Sequence, residues 1–367
     1  MSLNFGRILA ASAMATMFAA LCYSQTAPGG ALEVEMLESE AIRGNVLGES
    51  ATRRLSIYLP PSYSTSVKRY PVLYLLHGIQ DSDQTWTRPW PMMEARSPYT
   101  TIQALMDAGI RNGHFGEFIV VMPNAGTRFG GSFYVDSEAT GKWEQFIVRE
   151  TVRFIDGKYR TLPAAQSRGI AGHSMGGYGA ITLGARYPDV FSVVYAMNPA
   201  VLGWGGEISP ENPAFDSVLQ ARTLQDLMRG GPAAFAIVAL AQAFSPNREK
   251  PPFFVDLPFT KSGDALVPSP GAHERWQSRF PVQTVAQDAP NIAKLSALRF
   301  DTAWEDEFPH IPITARAYAR ELDKAGVTFR FDEYNGDHRN RLWGRNGRLY
   351  ADVLPFIWRN LEAESTP

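Results

Sequence analysis

Cysteine is almost missing from this chain of 367 residues: the one copy is Cys22. It lies in an N-terminal stretch that reads as a removable leader, so the mature chain is expected to carry no cysteine. That excludes disulfides, a thiolate nucleophile and cysteine metal sites together, and any nucleophile must be oxygen or nitrogen. An excess of one charge is missing too. The 35 basic residues against 37 acidic ones give a formal charge of -2. No block of like charges suggests a nucleic-acid arm or an acidic tail, so nucleic acid is not an expected partner. Long hydrophobic runs are also lacking. The apolar run from Ile8 to Leu21 is only about 14 residues, short of the roughly 20 that a bilayer-spanning helix needs. With Arg7 before it and small and polar residues after it, residues 1–24 read as a secretory signal peptide cleaved after Ser24 or Ala27, with a retained anchor as the alternative. Leu21 stands where a lipoprotein signal wants a small residue. The expectation is a secreted or periplasmic protein with no stable membrane association after cleavage.

What is present is ample hydrophobic content, 45%, enough for a sizeable core. After a flexible start through Gly30, residues 53–60 alternate as a half-buried outer antiparallel strand would. Residues 72–76 and 118–122 are continuous apolar runs of strand length, ended by His77-Gly78 and Pro123-Asn124, and predict strands buried on both faces. Helical spacing follows over 143–155, a further strand is expected at 191–197, and another at 298–300. A helix over 311–324, a strand over 328–334 and a final helix over 348–361 complete the pattern. Strand and helix alternate, so the fold class expected is α/β, a mostly parallel sheet flanked by helices, in one domain over 25–367. Residues 202–297 are too long for a structureless loop. They are read as a cap-like insertion over one edge of the sheet, with an extension packed elsewhere as the alternative.

The most informative stretch is Gly172-His173-Ser174-Met175-Gly176, a G-x-S-x-G pattern between a strand-like run and the helical spacing of 178–187. At such an elbow Ser174 would stand exposed above the sheet, with glycines where side chains would collide. An alcohol attacks poorly until its proton is taken, so a histidine must reach Ser174. His338 is the best placed of the six, in a glycine-containing loop just after the last strand, whereas His173 is expected to point away from the elbow. An acid must orient that imidazole. Asp301, Glu305, Asp306 and Glu307 cluster after the strand at 298–300; Asp306 is the choice on position, with the others as competitors. That cluster with His310 lacks a firm metal-ligand spacing, so no metal or other cofactor is expected. The backbone N–H of Met175 and of Ile79, in the turn after strand 72–76, are the candidate oxyanion donors. Trp86, Tyr134 and Trp204 are candidate substrate-binding residues, and Phe253, Phe254, Phe259 and Trp276 are further aromatics for an apolar pocket. For each aromatic, core packing is the competing reading.

Tyr74-Leu75-Leu76-His77-Gly78, Val120-Val121-Met122-Pro123-Asn124, residues 131–137 and residues 171–180 occur in order, and together they resemble one family of α/β-hydrolases. That family includes esterase D, feruloyl esterases, S-formylglutathione hydrolases and the antigen 85 mycolyltransferases. The resemblance runs over about residues 50–200 and extends to the Asp306 and His338 regions. It implies an α/β-hydrolase fold and a serine carboxylic-ester hydrolase, which the leader would make a secreted one, with an aryl, hydroxycinnamoyl or short-chain acyl ester as its partner molecule. By the same resemblance Asp306 stands at the family's acid position and His338 in its base turn. Ala303 departs from the glycine that the family often has, and the 202–297 insert exceeds that of compact members. Acyl transfer from the same acyl-enzyme is the alternative function. A binding protein without catalysis on the same fold is a third reading.

Overall fold

The computed structural model describes residues 29–89 and 99–364. The expected signal peptide, with Cys22, lies outside the described residues. The central sheet has eight strands: β1 (Ala31–Glu38), β2 (Thr52–Leu59), β3 (Val72–Leu76), β4 (Ile119–Pro123), β5 (Arg168–His173), β6 (Val193–Met197), β7 (Ala297–Ala303) and β8 (Arg330–Tyr334). Their order is β1-β2-β4-β3-β5-β6-β7-β8. The pairs from β4 through β8 are parallel, and β2 joins both β4 and β1 antiparallel. This is the α/β-hydrolase architecture, with helices on both faces.

Burial on both faces explains the continuous apolar runs. In β3, Val72, Tyr74 and Leu76 join one hydrophobic cluster and Leu73 and Leu75 the other, because successive side chains point to opposite faces. One expectation is corrected at the sheet's antiparallel edge. Residues 53–60 are not the outermost strand, because β1, which begins at Ala31, pairs with β2 along its whole length. The signal in β1 was weak because its outer face has no core to cover; Val34 and Met36 are about half exposed.

Residues 202–297 hold short helices, a two-stranded ribbon of Phe259–Ser262 with Ala265–Pro268, and a longer helix, Gly231–Phe244. Pro232 opens that helix, where its missing N–H costs nothing. The helix runs past the cavity beside Ser174, to which it contributes Ala233, Ala236, Ile237 and Leu240. No described helix is long and apolar enough to cross a membrane.

Candidate active site

Ser174 sits at φ 58° and ψ -117°, between the end of β5 and the helix α1 (Met175–Arg186). A non-glycine residue in that region is strained, and the surrounding backbone enforces it. A Cβ on Gly172 would stand 2.2 Å from the Gly176 carbonyl oxygen, and one on Gly176 would stand 2.2 Å from that of Leu76. Both glycines are therefore required by close backbone approach, as the motif predicts. The Ser174 N–H donates to the Met197 carbonyl, 3.0 Å, which ties the elbow to the adjacent strand.

The acid and base reach the same end of the sheet from β7 and β8, neighbouring parallel strands whose carboxyl ends lie in register at Ala303 and Tyr334. Beyond the strands the two loops stay knitted, because Trp304 N–H donates to the Tyr334 carbonyl and Glu305 N–H to that of Gly336. This brings Asp306 Oδ2 to 2.7 Å from His338 Nδ1, with the carboxylate fully buried and the imidazole nearly so. The other carboxylate oxygen accepts the Phe308 N–H at 2.9 Å. Phe308 meets the His338 ring edge-on at 5.0 Å between centroids.

The competitors of Asp306 have other occupations. Asp301 is buried on the far side of β7's end, held by the Tyr195 hydroxyl and the Arg348 guanidinium, each at 2.7 Å. Glu305 is exposed, and Glu307 accepts the His338 N–H at 3.1 Å rather than the ring.

His173 faces a different cavity from Ser174, yet it is not idle. Its ring lies 4.5 Å from the His338 ring, and its Nε2–H donates to the His338 carbonyl at 2.8 Å. The same carbonyl accepts from Asn198 Nδ2 at 3.1 Å, and Asn198 Oδ1 accepts the Ala303 N–H. His173 and Asn198 thus fix the backbone of the His338 loop, and sequence reasoning missed both. A histidine inside the elbow carried a signal, but its direction depends on a loop 165 residues away.

Electrostatics favour neutral groups in this buried cluster. Burial pushes the Asp306 carboxyl up to about 6, against the pull of the Phe308 N–H and nearby imidazoles. Burial also lowers His338 and His173, which keeps both imidazoles neutral at rest. With Asp306 ionised and accepting from Nδ1–H, the His338 proton is on Nδ1 and the Nε2 lone pair is free to act as a base.

Gly78 belongs to the same site: a Cβ there would come within 3.5 Å of the Ser174 Cβ. His77 holds this turn, accepting the Ala125 N–H at Nε2 and bonding the Gly78 carbonyl through Nδ1. The neighbouring donors Gln80 and Asp81 are committed to the Gly130 and Gly78 carbonyls. Among the described residues, no acceptor is assigned to the N–H of Ile79 or to that of Met175, which opens α1 and has no partner within it.

Two cavities flank these residues. Ser174 opens into one of about 110 Å³, walled mainly by Ile79, Phe133, Val201, Ile237 and Leu240. A second, of about 430 Å³, is lined by His173, Glu307, Asp81, Arg339, Trp86 and Trp343. Chain neighbours face different cavities: His173 against Ser174, and Glu307 against Phe308. The candidate aromatics divide. Trp86 lines the larger cavity, 5.9 Å from the Trp343 ring. Tyr134 and Trp204 line neither cavity. Tyr134 is buried against Gly179 with its hydroxyl on the His77 carbonyl, and Trp204 stacks on His273 and Trp276. Phe253, Phe259 and Trp276 are likewise packed inside the insert, because large aromatic faces are needed to bury its short helices.

Among the described residues no cluster of three or more His, Cys, Asp or Glu is arranged to hold a metal ion. The sheet order defines an α/β-hydrolase, with a strained serine elbow and a buried Asp–His pair at the strand ends. The chain belongs to the esterase family: the family described as "Putative esterase" matches residues 48–249. Esterase MT1326 and Esterase Rv1288 of Mycobacterium tuberculosis, from two strains, are each 34% identical over 140 residues, 38% of this chain. That match spans only 27% of those curated relatives' length. Among solved structures, a ferulic acid esterase superposes with a TM-score of 0.62 at 23% identity, over 91% of this chain and 99% of that one. An S-formylglutathione hydrolase from Agrobacterium tumefaciens gives 0.56 at 16% identity, over 91% and 96%. At such identities the likeness establishes the fold.

Proposed function

We propose that this esterase-family protein is a secreted serine carboxylic-ester hydrolase working through an acyl-enzyme. The observation that carries this is a strained serine opening into an apolar cavity, with the buried Asp306–His338 pair held against the residue next to it. Ser174 Oγ attacks the ester carbonyl as His338 Nε2 takes its proton, and Asp306 stabilises the imidazolium that forms. The N–H groups of Ile79 and Met175 receive the developing oxyanion. His338 then gives its proton to the departing alcohol, and water repeats the cycle on the acyl-enzyme. The apolar cavity suits the acyl group. The larger cavity, with its Trp86 and Trp343 rings among charged groups, suits the alcohol. Short acyl and aryl esters are the substrate class this arrangement favours.

The test is hydrolysis of p-nitrophenyl esters from acetyl to octanoyl, beside methyl ferulate, by the signal-free protein and its Ser174→Ala variant. Loss of at least about 10⁴-fold in kcat in the variant is expected, together with loss of fluorophosphonate labelling. Equal rates in both proteins would end the proposal. The size of the second cavity also favours a second reading, since an acceptor alcohol bound there would capture the acyl group. Product analysis with added glycerol or glucose distinguishes transfer from hydrolysis.

A further inference from the structure

His310 lies 95% buried in the wall of the cavity that Ser174 enters. Its Nδ1 is 2.5 Å from Glu207 Oε1, while Glu207 Oε2 accepts the His310 backbone N–H at 3.0 Å. Both oxygens of that carboxylate are thus committed to one residue. Nε2 is different: it is buried and has no hydrogen-bond partner. The other polar side chain of that wall, Asn212, is spent on the Glu207 carbonyl and the Ala214 N–H. Apart from the Ser174 hydroxyl, His310 Nε2 is therefore the side-chain polar atom of the cavity-lining residues that lacks a protein partner.

A buried polar atom without a partner is costly, and its persistence beside the attacking serine points to a ligand group that satisfies it. The carboxylate occupies the Nδ1 side of the ring, so Nε2 is the nitrogen left without a protein partner. A hydroxyl suits this position best, because it donates to the neutral ring and accepts from the protonated one. Size narrows the class further. At about 110 Å³ the cavity is smaller than the roughly 150 Å³ that takes a benzene ring in an apolar core, so a short aliphatic chain fits better than an aromatic acyl group.

We propose that His310, positioned by Glu207, is a specificity residue that binds the hydroxyl of a short hydroxyacyl group, so that the preferred substrates are esters of small hydroxy acids such as 3-hydroxybutanoate. This rests on the proposed ester hydrolysis. Removing the partner of a built hydrogen-bonding site penalises the matching substrate specifically, and the expected discrimination is about 10- to 100-fold.

The experiment compares kcat/KM for ethyl 3-hydroxybutanoate with ethyl butanoate, and for methyl ferulate with methyl 3,4-dimethoxycinnamate, in the wild type, His310→Leu and Glu207→Gln. The wild type should favour the hydroxy ester of the aliphatic pair at least about tenfold. That ratio should collapse toward one in His310→Leu and fall partway in Glu207→Gln. A wild-type ratio near one, or a ratio unchanged by His310→Leu, overturns the proposal. A preference confined to the phenolic pair overturns the assignment to short acyl groups. If His310→Leu does not fold, the wild-type ratio still decides. Calorimetric titration of Ser174→Ala with 3-hydroxybutanoate and with butanoate needs no turnover. Tighter binding of the hydroxy acid sustains the inference even if no ester is hydrolysed and the functional reading fails, and equal binding refutes it.

Discussion

Replacing Asp306 with Asn keeps the size of the side chain and changes which atoms can donate. In the wild type one carboxylate oxygen accepts from His338 Nδ1–H at 2.7 Å and the other from the Phe308 N–H at 2.9 Å. Asn has a single carbonyl oxygen for these two donors. Facing its NH₂ toward Phe308 would leave two buried donors opposed, at about 1–3 kcal/mol. The amide therefore turns its oxygen to Phe308 and its NH₂ to Nδ1. His338 must then carry its proton on Nε2, facing the serine, where it cannot act as a base. The productive orientation survives in roughly one molecule in ten to a hundred. Loss of the carboxylate's charge-assisted bond to the imidazolium adds a further factor of similar size.

The expected fall in kcat is about 10²- to 10⁴-fold, or about 3–5.5 kcal/mol, with KM little changed. The same carboxyl sets the acid limb of the wild type. Burial holds its folded pKa at about 6, above the usual carboxylate value of 3.8, so below about pH 6 a protonated Asp306 donates to Nδ1 and places the imidazole proton on Nε2. Activity should decline as pH falls through 6, and Asp306→Asn should lack that limb. Stability moves the other way. The folded state binds this proton more tightly than the unfolded one, so this group's contribution falls as pH rises from about 4 to 6. At pH 7 the Asn variant should melt no lower than the wild type. Steady-state kinetics on p-nitrophenyl butanoate from pH 5 to 8, with melting curves in parallel, provide the measurements. Activity within tenfold of wild type at pH 7 would refute the assignment of Asp306.

Two other substitutions probe the elbow and the cavity. Gly176→Ala puts a methyl group 2.2 Å from the Leu76 carbonyl oxygen, so β3 must shift; a cost of about 1–3 kcal/mol should lower Tm by several degrees, and kcat should fall with it. Gly157→Ala, whose Cβ would meet nothing within 4 Å, should leave both unchanged or slightly raise Tm, and melting curves of the two variants compare them directly. Ala236→Phe fills the cavity from the insert's long helix. It should reduce kcat/KM for butanoyl and longer esters at least about tenfold while sparing acetyl esters, and an unchanged chain-length profile would show that the acyl group lies elsewhere.

The local parts of this molecule were legible because they depend on residues close together in the chain. Apolar runs at 72–76 and 118–122 specify strands buried on both faces, and glycines two residues either side of Ser174 specify an elbow whose backbone excludes side chains. Proximity between distant segments was less legible. Four carboxylates near residue 306 shared one sequence neighbourhood, and only the pairing of β7 with β8 decides that Asp306 meets the ring while Asp301 turns to Arg348. The sequence placed aromatic residues in the insert without saying which would reach the cavity. Trp204 and Trp276 pack on one another, while small aliphatic residues of one helix face Ser174. Nothing in the chain joins Glu207 to His310 across 103 residues until the fold closes around them. By itself the sequence determined the fold class and the elbow that carries Ser174, and it marked His338 as the proposed base. Tertiary structure decided which carboxylate meets the His338 ring, where His173 points and what lines the cavity, because a side chain's direction is set by what packs against it.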